Sequence, residues 1–313
     1  MYQPQPQPSV NPAPAPAPLD RTIRSRLSRV GWGTLLYLLA AQVLGTILVL
    51  IPPVRNSAYL TMAVNEVVTY GIGPLALWLM IRPLPKGTGP GLSLSPKAFV
   101  RTALFCLGTT YLFNLLTTLL MLAIETLTGS STGNALEAVA DSFPTGLYLV
   151  VAVLIAPVME ELIFRKLLLD RLRPFGDRWA ILISGVAFGL FHLNLYQFFY
   201  ATALGFIFGG IALKTGKIWH TMLLHAIVNL SSPALNALMS TGNLGTAAAN
   251  LLIWVFIALA VFFFIRYAKT FRYAPPASPV TDRQVFRNLL RSPGAWVCAV
   301  LLLAASVAMV FLV

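Results

Sequence analysis

Two adjacent carboxylates, Glu160 and Glu161, stand inside the apolar run Ala156-Pro157-Val158-Met159-Glu160-Glu161-Leu162-Ile163-Phe164-Arg165. An ionisable side chain at membrane depth costs roughly 3 kcal/mol or more unless it is paired or wetted, so its default reading is a functional site. Helical spacing separates the two. Glu161 and Arg165 are four residues apart on one face, with the carboxylate N-terminal to the cation, an order that favours pairing. Glu160 is turned about 100° from Glu161, and its own i+4 position is Phe164, not a cation. Glu161 is therefore expected to be a structural partner and Glu160 a free base. Pro157 removes a helical hydrogen bond and is expected to leave the carbonyl of Val153 without its donor, at a kink that could admit water.

All three histidines of the chain follow within about sixty residues. His192 closes Phe188-Gly189-Leu190-Phe191-His192. In Trp219-His220-Thr221-Met222-Leu223-Leu224-His225-Ala226-Ile227-Val228-Asn229, the spacing puts His225 and Asn229 on one helix face and turns His220 away from it. Two glutamates, two histidines and an asparagine on neighbouring apolar runs are expected to share one site.

Taken in order, Glu160-Glu161-x-x-x-Arg165, Phe188-x-x-x-His192 and His225-x-x-x-Asn229 resemble the three-motif signature of the CPBP intramembrane proteases. That family includes the type II CAAX prenyl endopeptidases and the bacterial Abi, or bacteriocin-immunity, proteins. The resemblance covers about residues 145 to 230. It implies that Glu160 and His192 activate a water while His225 and Asn229 steady the oxyanion, with Glu161, Arg165 and Phe188 supporting the site. Peptide hydrolysis needs both functions, a tunable base and donors aimed at the developing negative oxygen. No serine or cysteine nucleophile is required.

On this reading no cofactor is required, although a zinc ion remains open. Glu160, His192 and His225 would supply one oxygen and two nitrogens and leave a position for water, as in catalytic zinc sites. The chain lacks the H-E-x-x-H helix of the familiar zinc enzymes, and Asn229 is a better oxyanion donor than a zinc ligand. Both points favour a metal-free site.

The elements that must position these residues are membrane helices. Of 313 residues, 57% are hydrophobic and only 10% charged, far from the balance of a soluble domain. Nine hydrophobic runs are expected, at about 31–51, 58–82, 98–126, 143–170, 178–192, 196–213, 218–238, 248–268 and 294–313, giving an all-α polytopic bundle with eight to nine spans. Residues 1–20 are Pro-rich and expected to be a disordered tail, 21–142 N-terminal membrane helices, 143–240 the catalytic core and 241–313 C-terminal membrane helices. The first run is expected to be a retained anchor, not a cleaved signal peptide. Cys106 and Cys298 read as buried hydrophobes.

With the N-terminus in the cytoplasm and every run crossing, 21 of the 22 Lys and Arg residues fall on cytoplasmic segments and only Arg55 outside. The net charge of +12 is spread over all these segments and not gathered into one module, which argues against nucleic acid as a partner. The expected partners are the lipid bilayer and a peptide or prenylated-protein substrate, and the expected location is a bacterial plasma membrane. The oligomeric state is left open. Run 178–192 is short, so His192 meets Glu160 only if that run starts early from a protruding end of the preceding helix, tilts, or turns within the bilayer. Glu66, in the second run, is a further intramembrane carboxylate for which a polar contact between helices is sufficient reason.

Two rival functions are kept. Buried Glu and His also build proton relays in ion-coupled transporters, but the chain shows no internal repeat of the kind those folds carry. A non-catalytic immunity or scaffold protein of the same family is the other.

Overall fold

The computed structural model describes residues 19–87, 91–270, 272–277 and 279–312. In chain order its main helices are α1 (Leu19–Val49), α2 (Ala58–Ile81), α3 (Pro96–Thr128), α4 (Thr145–Phe175), α5 (Asp177–Phe191), α6 (Leu195–Thr215), α7 (Trp219–Met239), α8 (Asn243–Tyr267), α9 (Asp282–Leu290) and α10 (Pro293–Leu312). All except α5 and α9 are long and apolar enough to cross a membrane, eight in total among the described residues. The chain is a polytopic helical membrane protein. Of the nine expected runs, only the fifth falls short: α5 has 15 residues, about 22 Å at 1.5 Å per residue.

Most of the expected tail lies outside the described residues, but Leu19 and Asp20 belong to α1 and not to a tail. The arginine-rich stretch is helical because Ile23, Leu27 and Val30 recur on one face and are buried, so the helix begins well before the apolar run itself. Asp20 stands in its first turn, where a carboxylate suits the helix dipole, and its Oδ1 accepts from Asn288 Nδ2 of α9 at 2.9 Å. Arg287 donates to the other oxygen.

The helix ends sort into two levels. At one level, Arg171 near the end of α4 donates to the Ile81 carbonyl ending α2 at 2.9 Å, and Lys217 before α7 reaches Ser93 before α3 at 2.7 Å. Asp177 at the start of α5 accepts from the backbone of Ala274, beyond α8, at 3.0 Å. At the other level, Gly133 after α3 donates to the Val310 carbonyl near the end of α10 at 2.8 Å. Thr132 and Tyr196, the latter at the start of α6, share a hydrogen bond of 2.7 Å. Basic residues crowd the first level, with one correction to the sequence count: Arg165 lies in the protein core and not on a surface segment, because Glu161 holds it there.

The pair α5 and α6 forms an antiparallel hairpin at the centre of the bundle. Small residues set its closeness. A Cβ on Gly205 would lie 2.7 Å from Gly185 Cα, and one on Gly189 would lie 2.0 Å from Thr202 Oγ1. The fourth glycine of the pattern, Gly209, has only ordinary contacts with Ile181, so the close approach is confined to the upper part of the hairpin.

Candidate active site

The site begins with the path of α4. Two stretches of this helix are wound as π-helix, Val151–Ile155 and Leu162–Leu169, and Glu160 and Glu161 lie between them. In the first stretch the Ala156 N–H bonds to the Val151 carbonyl, five residues back. The proline that follows therefore leaves the carbonyl of Ala152 without a donor, not that of Val153, because the π register shifts every partner by one. Asn229 of α7 fills the place: its Nδ2 donates to the Ala152 oxygen at 2.7 Å. A missing N–H on one helix is thus supplied by a side chain of another.

Depth follows from the corner at Gly176, whose φ of 93° is accessible to glycine and strained for other residues. Glu160 and His192 each stand sixteen residues from that corner, one on α4 and one just past α5. Two antiparallel limbs of equal count bring their ends to similar depth. That is why a 15-residue helix suffices to carry His192 to Glu160.

Glu161 and Arg165 form a fully buried pair, with Nε to Oε2 at 3.0 Å. Arg165 Nη1 also donates to Ser184 Oγ at 3.3 Å, and Ser184 donates to the Phe164 carbonyl at 3.1 Å. The guanidinium lies over the Phe188 and Phe208 rings, 5.0 and 5.8 Å from their centroids. An isolated charge in such surroundings would be costly; here it has a partner carboxylate, a hydroxyl and two aromatic faces.

Glu160 is also buried, at 7% exposure, but no cation pairs with it. Its Oε1 accepts from Tyr70 Oη of α2 at 2.9 Å, and its Oε2 has no hydrogen-bond partner among the described residues. His225 sits between the two carboxylates, with Nε2 3.8 Å from Glu160 Oε2 and Nδ1 3.4 Å from Glu161 Oε1. The first separation is too long for a direct hydrogen bond, a distance at which a bridging water is the physical alternative.

His192 bonds through Nδ1 to the Phe188 carbonyl at 2.8 Å. A carbonyl can only accept, so Nδ1 carries the proton and Nε2 of the neutral ring keeps its lone pair. Phe188 meets the edges of both imidazoles, with centroids 5.0 Å from His192 and 5.6 Å from His225. His192 also interacts electrostatically with Glu160.

Glu160, Glu161, Arg165, Phe188, His192 and His225 are therefore joined by a chain of contacts through His225 and Phe188, and Asn229 follows four residues after His225 on α7 with its amide on the Ala152 carbonyl. His220 is elsewhere: it stacks on Trp219 at 3.8 Å and accepts at Nε2 from the Leu94 N–H, a packing role. Among the described residues no three His, Cys, Asp or Glu side chains are grouped so that they could hold a metal ion. Glu160, His192 and His225, the three residues that a zinc would have used, do not form such a set. Sequence reasoning missed two contacts of the site, Tyr70 and Phe208. Phe208 carried no signal, but Tyr70 did, being four residues after the intramembrane Glu66 on the same face of α2.

The sequence profile described as Rce1-like, "Type II CAAX prenyl endopeptidase Rce1-like", matches residues 142–231. The candidate membrane peptidase YdiL of Bacillus subtilis (strain 168) is 34% identical over 84 residues, which are 26% of this chain and 34% of that protein. The match thus spans about a third of the relative's length. No solved structure matches the chain significantly. Residues 142–231, which contain Glu160, Glu161, Arg165, His192, His225 and Asn229, are thus similar to the type II CAAX prenyl endopeptidase Rce1-like family, and the similarity covers less than half of the chain.

Proposed function

We propose that the protein is an intramembrane endopeptidase of a bacterial plasma membrane that cleaves a peptide bond presented from the basic, cytoplasmic side. Glu160 and His192 activate the water, and His225 and Asn229 donate to the oxyanion. The observation that carries this reading is the division of labour between adjacent carboxylates: Glu161 is neutralised by Arg165 at 3.0 Å, while Glu160 Oε2 has no hydrogen-bond partner among the described residues and faces His225.

In the reaction, water gives a proton to Glu160 and its oxygen adds to the scissile carbonyl carbon. Negative charge moves onto the carbonyl oxygen, where N–H groups of His225 and Asn229 meet it. The carbon–nitrogen bond then breaks as the leaving nitrogen takes the proton from Glu160, so one water is added and the carboxylate is restored. The His192 lone pair at Nε2 accepts from the same water and orients it. The Nδ2 bond from Asn229 to Ala152 uses one of two amide hydrogens and leaves the other for substrate. No step needs a metal. The family description points to a prenylated CAAX tail as the substrate class, with a peptide pheromone or bacteriocin precursor as bacterial counterparts.

Hydrolysis of a quenched peptide by the protein in nanodiscs tests the proposal. Glu160→Ala is expected to lower the rate by at least about a hundredfold, the lower range for loss of a general base, and the wild-type rate is expected to survive exhaustive chelation. Equal rates for wild type and variant would show that Glu160 takes no part, and loss of activity on chelation, restored by zinc, would replace the metal-free mechanism.

A further inference from the structure

The family match begins at residue 142, yet one of the bonds to Glu160 comes from α2, far outside it. Tyr70 lies within a π-helical stretch, Val68–Ile72, where the Gly73 N–H bonds five residues back to Val68. Pro74 follows, as Pro157 follows the π stretch of α4. Both helices therefore change register beside the same carboxylate. Such single turns of π-helix recur where a helix must re-aim a side chain at a functional site.

Two further polar groups of α1 and α2 bear on Glu160. Glu66 Oε2 and Tyr37 Oη are both buried and have no hydrogen-bond partner among the described residues. Both interact electrostatically with Glu160, and Tyr37 packs on Phe191, the neighbour of His192, at a centroid distance of 4.9 Å. Buried carboxyl and phenol groups are nearly always satisfied, so two orphans that interact with Glu160, which carries a third, are groups that ordered water would satisfy. On sequence a polar contact between helices sufficed for Glu66, and among the described residues its Oε2 makes none.

We infer that the active site is completed by α1 and α2: Tyr70 is the positioning residue of Glu160, and Glu66 with Tyr37 forms the polar wall that holds water beside it. This rests on Glu160 being the base of a peptidase. Fixing Oε1 by the Tyr70 hydroxyl leaves Oε2 as the oxygen that meets water. Without that bond the carboxylate can rotate, and both oxygens compete for the reacting position.

The test joins turnover to a spectroscopic readout. Tyr70→Phe keeps the ring and removes the hydroxyl, and is expected to lower kcat about 10- to 100-fold with KM changed less than twofold, the size expected for one charge-assisted hydrogen bond. Incorporating 3-fluorotyrosine at position 70, which retains a hydroxyl, restores most of the rate. Glu66→Gln lowers kcat by about three- to tenfold, a smaller effect because it acts through bound water, whereas Asn65→Ala, next to it on a different face, does not. In infrared difference spectra of wild type against Glu160→Gln, the carboxylate stretch assigned to Glu160 shifts when Tyr70→Phe is added. An unshifted stretch overturns the Tyr70 pairing whatever the activity. Unchanged kcat in both Tyr70→Phe and Glu66→Gln, with Glu160-dependent hydrolysis intact, overturns the completed site and leaves the proposed function standing. A shifted stretch with no Glu160-dependent hydrolysis overturns the proposed function, and the positioning role with it.

Discussion

At the scale of single residues, the site solves an electrostatic problem by giving one of two neighbouring carboxylates a buried cation of its own. Glu161 has Arg165 at 3.0 Å and His225 at 3.4 Å, and neither it nor Arg165 is reached by solvent. Pairs of this kind contribute little net stability but are costly to break, since a remaining partner keeps its desolvation penalty. Arg165→Met is therefore expected to destabilise the protein by about 3–5 kcal/mol. The double variant Glu161→Leu with Arg165→Met is expected to recover much of that loss in thermal unfolding while its peptidase activity stays low. A double variant no more stable than the single would show that the pair is not the main source of the loss.

At the scale of elements, what matters is how helices with missing hydrogen bonds lean on one another. Pro157 in the π register orphans the Ala152 carbonyl, and Asn229 satisfies it from α7. Asn229→Ala should then lower stability by about 1–3 kcal/mol, the cost of leaving a partly buried carbonyl unsatisfied within an apolar span, beyond any effect on catalysis. Adding Pro157→Ala restores a backbone N–H to α4 and is expected to return stability without returning activity. Thermal melts of the two single variants and the double variant separate these contributions, and a double variant as unstable as Asn229→Ala would refute the capping role. The same element shows how far sequence could reach. The i, i+4 spacings of Glu161 with Arg165 and of His225 with Asn229 are local, and they made the pair and the shared face legible. The register of α4 was not legible, because a π stretch changes the partner of every carbonyl while leaving composition untouched, and Val153 was expected where Ala152 is found. Nor was the completion of the site by Tyr70, since contact between α2 and α4 is decided by packing across 90 residues of sequence.

At the scale of the whole molecule, the sorting of helix ends into two levels makes the charge argument testable independently of any activity. The level at which Ile81, Arg171, Lys217 and Ser93 meet is also where the basic residues crowd, and the positive-inside tendency predicts that it faces the cytoplasm. The opposite level, with Val310, Thr132 and Tyr196, carries Glu125 on Thr132 and Glu137 on Asn134 and few basic residues. Both native cysteines, Cys106 and Cys298, are free and buried, so single introduced cysteines can report sidedness without removing them. Asn56→Cys, in the exposed turn between α1 and α2, is expected to react with a membrane-impermeant maleimide on intact cells. Ala268→Cys, exposed at the end of α8, is expected to react only after the membrane is permeabilised. The reverse pattern would turn the protein over and move the peptide's approach to the outer face. It would leave the arrangement around Glu160 as it is, since that arrangement depends on the equal limbs about Gly176 and not on which side of the membrane Gly176 faces.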